Sequence, residues 1–252
     1  MEQASESPLG LRLKALPLIT TILLAIGVPY LAAFLAVLAS RFAHAPAASG
    51  PLLPWLYSQH AFQLLLALIA IALLRPWVPA DYGLHWPRKR GYFLAAVLWG
   101  AFFGILMTLV DYAPELLNHT HPMLDYPLTS ANVYGWLFFE GIYVGPTEEI
   151  PFRALLVTYL ATTMPGQLKI GRFRMNWAGV LVALMFALLH ASNFWSRSWP
   201  LALGQQLYAF ALAVAYAYWL EKSRSVVAPI VGHNVSDGIE YLLLFLWVGL
   251  AH

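Results

Sequence analysis

The sequence predicts an all-α, polytopic integral membrane protein with about eight transmembrane helices. Of its 252 residues, 60% are hydrophobic and only 10% are charged, and the mean hydropathy of +0.66 is far from that of soluble domains. Uncharged runs at 15–40, 43–74 and 91–110 each hold the roughly 20 apolar residues that a spanning helix needs. The predicted partner is therefore the lipid bilayer, and a net charge of +2 gives no reason to expect nucleic acid.

The first three predicted helices cover about Leu16–Ala39, Trp55–Leu74 and Gly91–Val110. A segment rich in Pro, Ala and Gly, residues 44–54, separates the first two, and a basic loop rich in proline, residues 75–90, precedes the third. The first apolar run is too long for a signal-peptide core, so it is predicted to remain as a helix. Residues 1–130 would form an N-terminal three-helix membrane region.

Residues 131–252 are predicted to form the second part of one integrated membrane domain. The fourth helix covers about Ala131–Thr162, with a possible break near Gly145 and Pro146. It follows an acidic loop, and a basic loop follows it. The remaining four helices are predicted at about Trp177–Ser192, Pro200–Leu220, Val226–Ser236 and Gly238–Leu250.

The basic residues predict the orientation of these helices. Counted over alternate connections, Arg41 and Arg197 lie on one side of the membrane and eleven basic residues lie on the other. The positive-inside rule places the larger group in the cytoplasm and, with eight crossings, both termini with it. For so compact a chain we expect a prokaryotic inner membrane. The larger group is Arg12, Lys14, Arg75, Arg88, Lys89, Arg90, Lys169, Arg172, Arg174, Lys222 and Arg224.

The fourth helix contains the charged stretch around which the chain is organised. Each charge near the bilayer centre costs roughly 2.5–3.5 kcal/mol on insertion scales, so Glu148, Glu149 and Arg153 predict a functional site. Glu149 and Arg153 are four residues apart and are predicted to pair on one helix face. Glu148 lies about 100° round the helix and has no local partner. A structural Glu149–Arg153 pair that only locks two helices is the simpler alternative.

Two prolines are predicted to open the backbone of the same helix. Pro151 has no N–H for the carbonyl of Thr147, and Pro146 has none for that of Ile142. The two carbonyls then need partners from neighbouring helices or from a water-containing cavity.

Further polar residues lie on the later helices. Phe186 and His190 are four residues apart and share a face of the fifth helix, as His233 and Asp237 do on the seventh. A lone histidine in an apolar helix is usually a packing residue, but two histidines with a carboxylate one turn on and an unpaired glutamate elsewhere indicate a site. That site is predicted to be enclosed by helices four, five and seven.

These residues form three motifs that resemble those of the CPBP family, in the same order. They are Glu148-Glu149-x-x-x-Arg153, Phe186-x-x-x-His190 and His233-x-x-x-Asp237. The family comprises the type II CAAX prenyl proteases and bacterial relatives linked to bacteriocin processing and self-immunity. The resemblance covers about residues 130–250, and the first three helices resemble the family only in being hydrophobic.

The resemblance implies a glutamic-type intramembrane endopeptidase that forms no acyl-enzyme and needs no metal or other cofactor. Glu148 would be the general base, and His190 would help it to hold and activate a water. His233 and Asp237 would stabilise the oxyanion. The implied substrate is a peptide or a membrane-anchored protein. The supporting residues are Glu149, Arg153, Phe186, Asn193 and Asn234.

Asp237 departs from the simplest version of this mechanism, because an ionised carboxylate cannot donate a hydrogen bond to an oxyanion. Either Asp237 is protonated, or it orients His233, which we favour. In the second case Asn234 is a candidate donor, although it points about 100° away from His233.

Two other functions compete with this interpretation. Glu148, Glu149, His190 and His233 are residue types that bind zinc, which would give a zinc-dependent membrane protease, although no His-Glu-x-x-His motif is present. A non-catalytic membrane protein, such as a bacteriocin self-immunity factor, a scaffold or a proton-coupled transporter, would also use intramembrane glutamate and histidine. The sequence contains no inverted repeat that would indicate transport.

Overall fold

A computed structural model of the protein describes residues 14–41, 52–87 and 91–250. In these ranges the chain is almost entirely helical, as the composition predicts. The N-terminal segment with Arg12, the loop residues 44–51 and the basic residues 88–90 lie outside the described part of the chain.

The first three long helices agree with the sequence prediction. They are α1 (Ala15–Ser40), α2 (Leu52–Leu74) and α3 (Gly91–Asp111). A short helix, α4 (Ala113–Asn118), lies in the acidic loop, where none was predicted. Its Pro114 suits the first turn of a helix, because proline lacks the N–H that is unpaired there anyway.

The fourth predicted helix is one continuous helical stretch, α5, over residues 130–163. It begins where the Thr129 side chain accepts a hydrogen bond from the Asn132 N–H, at 3.3 Å. Instead of breaking near Gly145, α5 widens into two π-helical segments, Phe139–Tyr143 and Ile150–Val157. Pro151 lies in the second π segment and Pro146 in the α-helical part between the two, and neither proline ends the helix. The α-helical parts are Ser130–Phe138, Val144–Glu149 and Thr158–Thr163.

The basic loop after α5 contains an antiparallel hairpin that the all-α prediction does not include. Strand β1 (Gln167–Ile170) pairs with β2 (Phe173–Asn176), and Gly171 takes the positive φ of 57° that their tight turn needs. The next two helices are α6 (Trp177–Ser196) and α7 (Trp199–Ser223).

The predicted seventh and eighth helices are a single helix, α8 (Val227–Leu250). The separation at Gly238 is therefore wrong. Gly238 does not end the helix, because its missing side chain serves packing: a Cβ atom there would lie 3.1 Å from Gly141 Cα of α5. The described residues thus contain seven long helices, and five of these, α1, α2, α3, α6 and α7, are long and apolar enough to span a membrane.

Helices α3 and α8 run parallel in close contact, through a Gly-x-x-x-Gly pattern on α3. A Cβ atom at Gly100 would lie 2.6 Å from the Gly232 carbonyl oxygen, and one at Gly104 would lie 2.5 Å from that of Ser236. Small residues at this spacing let two helix backbones approach each other. The N-terminal helices are therefore packed into the core formed by the later ones, while a domain boundary at residue 130 stays a prediction.

The helix ends define two faces of the bundle. On the first face, which we call the basic face, α3 and α8 begin, and the Val226 N–H donates to the Gly83 carbonyl at 3.0 Å. The opposite face, which we call the acidic face, holds the end of α3, where the rings of Tyr112 and Trp247 are 6.4 Å apart. Basic residues cluster on the first face. In the described ranges these are Lys14, Arg75, Lys169, Arg172, Arg174, Lys222 and Arg224.

The two ends of the described chain lie on opposite faces. The Lys14 N–H contacts Met164 Sδ at 3.4 Å, at the end of α5 on the basic face. Leu250 ends α8 on the acidic face, three residues after Trp247. In the described residues α8 crosses the bundle once where two crossings were expected, so the eight crossings from which both termini were placed on one side are not found there.

Candidate active site

A cavity of about 460 Å³ lies between six helices, α2, α3, α5, α6, α7 and α8. The predicted helices four, five and seven, now α5, α6 and α8, all contribute to it, and α2, α3 and α7 were not predicted to do so. All four residues predicted to be catalytic line this cavity: Glu148, His190, His233 and Asp237. Its polar and charged lining residues are His60, Asp111, Tyr112, Glu140, Glu148, His190, Arg197, Gln205, Tyr208, Tyr216, His233, Asp237, Glu240 and Tyr241.

Glu148 lies between two imidazole rings on the wall of the cavity. Its Oε1 is 3.9 Å from His60 Nε2, and its Oε2 is 3.8 Å from His233 Nε2. The Glu148 side chain is 21% exposed, whereas that of the adjacent Glu149 is 0% exposed. Of the two neighbouring carboxylates, only Glu148 can therefore meet a substrate or a water in the cavity.

Glu149 instead binds two side chains beneath the cavity wall. Its Oε2 is 3.0 Å from Arg153 Nε, which is the pair that the spacing predicts, and its Oε1 is 2.6 Å from His233 Nδ1. The Arg153 guanidinium also lies over the rings of Phe186 and Tyr216, at 4.5 Å and 5.3 Å. These contacts give the buried cation a carboxylate on one side and aromatic faces on the others.

Substituting Glu149 by Gln is expected to lower the free energy of unfolding by about 3–5 kcal/mol, because it leaves Arg153 buried without its counter-ion. Chemical unfolding of the purified protein in detergent measures the change. The matched control is Glu221→Gln, whose partner Lys222 lies 2.7 Å away with both side chains 27% exposed. Exposed pairs are worth less than about 1 kcal/mol. Equal losses in the two variants would contradict a central role for the buried pair.

His233 is held at both ring nitrogens. Nδ1 donates to Glu149, and Nε2 lies 3.1 Å from Asp237 Oδ2. The Tyr216 ring stacks on the imidazole, with centroids 5.6 Å apart. The second oxygen of Asp237 accepts a hydrogen bond from Ser236 Oγ at 2.9 Å. Asp237 is thus within hydrogen-bond distance of His233, and its role in orienting the ring stays a prediction.

Both backbone carbonyls that the prolines release have side-chain partners. Gln63 Nε2 of α2 donates to the Thr147 carbonyl at 2.9 Å, and Asn234 Nδ2 of α8 donates to that of Ile142 at 3.1 Å. Asn234 Oδ1 also accepts from the Gly145 N–H at 2.8 Å. Both ends of the Asn234 amide are thus bound to α5, and Asn234 is not among the residues that line the cavity, so its role as an oxyanion donor stays a prediction.

The hydrogen bond of His60 determines which of its ring nitrogens faces Glu148 as an acceptor. His60 Nδ1 lies 2.8 Å from the Thr147 hydroxyl, which in turn contacts the carbonyl oxygens of Val144 and Tyr143 at 2.8 Å and 3.0 Å. The single hydroxyl hydrogen goes to a carbonyl, so the hydroxyl accepts from Nδ1–H. Neutral His60 therefore presents the Nε2 lone pair towards Glu148.

His190 lines the cavity from the end of α6, in the 3₁₀ turn His190–Ser192. Its Nδ1 is 3.1 Å from the Phe186 carbonyl, which accepts the Nδ1 hydrogen, so the lone pair of the neutral ring is again on Nε2. Phe186 itself lines the cavity. Asn193 does not line the cavity. Its Nδ2 donates to Gln205 Oε1 at 2.5 Å, and Gln205 is a lining residue.

Towards the acidic face the cavity is bordered by a second polar network. Arg197 Nη1 is 3.2 Å from Asp111 Oδ1, and the Tyr208 hydroxyl donates to Asp111 Oδ2 at 2.8 Å. Glu140 and Glu240 also line the cavity, and both are close enough to Asp237 to interact with it electrostatically. The acidic-face half of the cavity therefore holds more carboxylates than cations.

Two tyrosines next to this network remain neutral. Burial, reinforced by the carboxylates of Glu240 and Asp111, raises the pKa of Tyr112. Burial and the carboxylate of Glu140 raise the pKa of Tyr126 to about 12. Both hydroxyls therefore keep their protons at physiological pH and add no further negative charge to this part of the protein.

His60 is a cavity residue next to Glu148 that was not predicted from the sequence. It lies in α2, outside the part of the chain that resembles a family. The sequence does contain an indication of this role, because the mostly apolar helix α2 carries Gln59, His60 and Gln63 close together, directly after Ser58. All three are buried. In the described ranges no group of three or more His, Asp or Glu side chains is arranged to hold a metal ion.

Comparison with family models gives a match to the second part of the chain. Residues 130–239 match the family model described as Type II CAAX prenyl endopeptidase Rce1-like. This range begins at the first residue of α5 and ends within α8, so it contains all three motifs. Neither the curated proteins nor the solved structures include a significant match to the chain.

Proposed function

We propose that the protein hydrolyses a peptide bond with a water activated by Glu148, because residues 130–239 match the family model of type II CAAX prenyl endopeptidases, which are in general intramembrane proteases. The observation that carries this proposal is the position of Glu148. It is the accessible carboxylate of the pair, and it lies on the cavity wall between two imidazole rings.

In the proposed mechanism, Glu148 and His60 hold the attacking water together. A water about 2.8 Å from both Glu148 Oε1 and His60 Nε2 fits the 3.9 Å separation of these acceptors. It donates one hydrogen to each, so its lone pair points to the scissile carbonyl. His190, with its Nε2 lone pair, is the third acceptor that the cavity offers to water.

The bond changes follow from this arrangement. The water oxygen bonds to the carbonyl carbon while Glu148 takes one of its protons, which gives a tetrahedral intermediate with a negative oxygen. His233 would act as an imidazolium, with Nδ1–H bound to Glu149 and Nε2–H shared between Asp237 and the negative oxygen, which its positive charge stabilises. Glu148 then passes its proton to the amide nitrogen as the C–N bond breaks. No acyl-enzyme forms, and no metal takes part.

An isotope experiment tests the reaction type. The purified protein, reconstituted in liposomes, is given a tagged membrane peptide in H₂¹⁸O with a chelator present, in a single turnover. We expect one ¹⁸O in the new carboxylate and no product trapped by hydroxylamine. A hydroxylamine adduct would contradict direct attack by water. Activity lost on chelation and restored by zinc would favour the zinc protease, and no cleavage of any peptide would favour a non-catalytic membrane protein.

The setting of the reaction follows from the family and the helices. The protein is an integral membrane protein, and its substrate is a peptide or a protein. We propose that the substrate is anchored in or near the bilayer, and that the protein resides in a prokaryotic inner membrane. A prenylated substrate is expected only in a eukaryotic source.

A further inference from the structure

The cavity lies in one half of the bundle. Five of its six helices contribute lining residues from the acidic-face half or from the middle: Leu56 and His60 near the start of α2, Asp111 at the end of α3, and His190 near the end of α6. From α5 the lining residues range from Trp136 to Glu148, and α7 contributes residues 205–216. The sixth helix, α8, contributes from its middle, at residues 233–241.

On the side of the basic face the cavity is closed by packed side chains. Arg153 is 1% exposed, and the α5 residues beyond it, Leu155, Leu156 and Leu160, are each at most 2% exposed. On the side of the acidic face, the border of the cavity keeps contact with the surroundings, because the side chain of Arg197 is 28% exposed there. The cavity is therefore approached from the acidic face.

The charges on the two faces indicate how the bundle lies in a membrane. In the described ranges seven basic residues lie on the basic face, while the acidic face has only Arg41 and Arg197 beside Asp111, Glu115 and Asp125. Short loops rich in Lys and Arg remain in the cytoplasm. The basic face is then cytoplasmic, and the cavity is on the other side.

We propose that the active-site cavity opens on the extracytoplasmic side of the membrane and takes a peptide segment that is presented there. The substrate class is thus an exported peptide, or the extracytoplasmic end of a membrane-anchored segment. A cytosolic protein with a prenylated C-terminus would meet the closed basic face. That the peptide in the cavity is a substrate rests on the proposed function, but the position of the opening is independent of catalysis.

The chain has no cysteine, so single cysteines report the orientation directly. Three neutral positions serve: Met123, which is 94% exposed on the acidic face; Gln167, exposed in the hairpin on the basic face; and Leu56, on the cavity wall. Each full-length variant is treated in intact bacterial spheroplasts with a small, charged, membrane-impermeant thiol reagent. We expect Met123→Cys and Leu56→Cys to be labelled at once, and Gln167→Cys only after permeabilisation.

Labelling of Gln167→Cys from outside, with Met123→Cys protected, would overturn the orientation. Protection of Leu56→Cys while Met123→Cys is labelled would overturn the opening of the cavity to that side. Neither result depends on proteolysis, so a failure here is separate from a failure of the proposed function. In a second arm, wild-type right-side-out vesicles should cleave an impermeant peptide added outside. Cleavage only in inverted vesicles would also contradict the proposal.

Discussion

Replacing Glu148 by Gln is expected to lower kcat by about 10²- to 10⁴-fold, the usual contribution of a general base. Gln has the shape of Glu but no basic carboxylate, so it cannot take the proton of the attacking water. KM should change little, because the peptide is bound by the rest of the cavity. Initial rates of cleavage of a tagged membrane peptide in liposomes, at several substrate concentrations, measure both constants.

Two controls make this result specific. Glu221→Gln makes the same substitution at the basic face, outside the cavity, and should keep the wild-type rate. Thermal unfolding of Glu148→Gln should equal that of the wild type, since Gln keeps the shape of Glu and the Glu148 carboxylate lies no closer than 3.8 Å to either imidazole. If Glu148→Gln keeps the wild-type kcat, Glu148 is not the base and the proposed mechanism fails.

Replacing His60 by Ala is expected to lower kcat by about 10²-fold, the effect of a reacting group displaced by about 1 Å. Without the Nε2 acceptor, the water is held by Glu148 alone and loses its orientation. Imidazole added to the assay should restore part of the rate, because it fits the space left in the cavity wall. A purely structural role for His60 would give no such rescue.

The control for this variant is His121→Ala, an exposed histidine of the acidic loop, which should have wild-type activity with and without imidazole. Thr147→Val provides a second measurement. It removes the hydroxyl that holds His60 Nδ1 and should give an intermediate loss that imidazole does not rescue. An active His60→Ala variant, together with an inactive Glu148→Gln variant, would refute the role of His60 and leave the proposed function intact.

Much of this site could be predicted from local spacing. The i,i+4 relation brings Glu149 to Arg153 and His233 to Asp237, and contacts of that kind depend only on helix geometry. The carbonyls freed by Pro146 and Pro151 could be predicted for the same reason, although the identity of their partners, Asn234 and Gln63, could not.

The contact between His60 and Glu148 could not be derived from the sequence alone, because it depends on how α2 packs against α5. The two helices are joined by a hydrogen bond between residues 87 positions apart in the chain. The continuity of α8 was missed for a related reason. A glycine in an apolar stretch can end a helix, or it can let another helix backbone approach closely. Only the packing of Gly238 against Gly141 shows that the second applies here.

The π-helical segments of α5 have a further consequence, for the comparison of related sequences. A π turn holds one residue more than an α turn, so a helical wheel drawn at about 100° per residue falls out of phase at each segment. Trp136 and Glu148 face one cavity because Phe139–Tyr143 lies between them. A homologue that lacks one residue there would turn Glu148 out of the wall by about 100° while keeping every motif intact. Insertions and deletions in this short segment, more than substitutions, would separate active relatives from inactive ones.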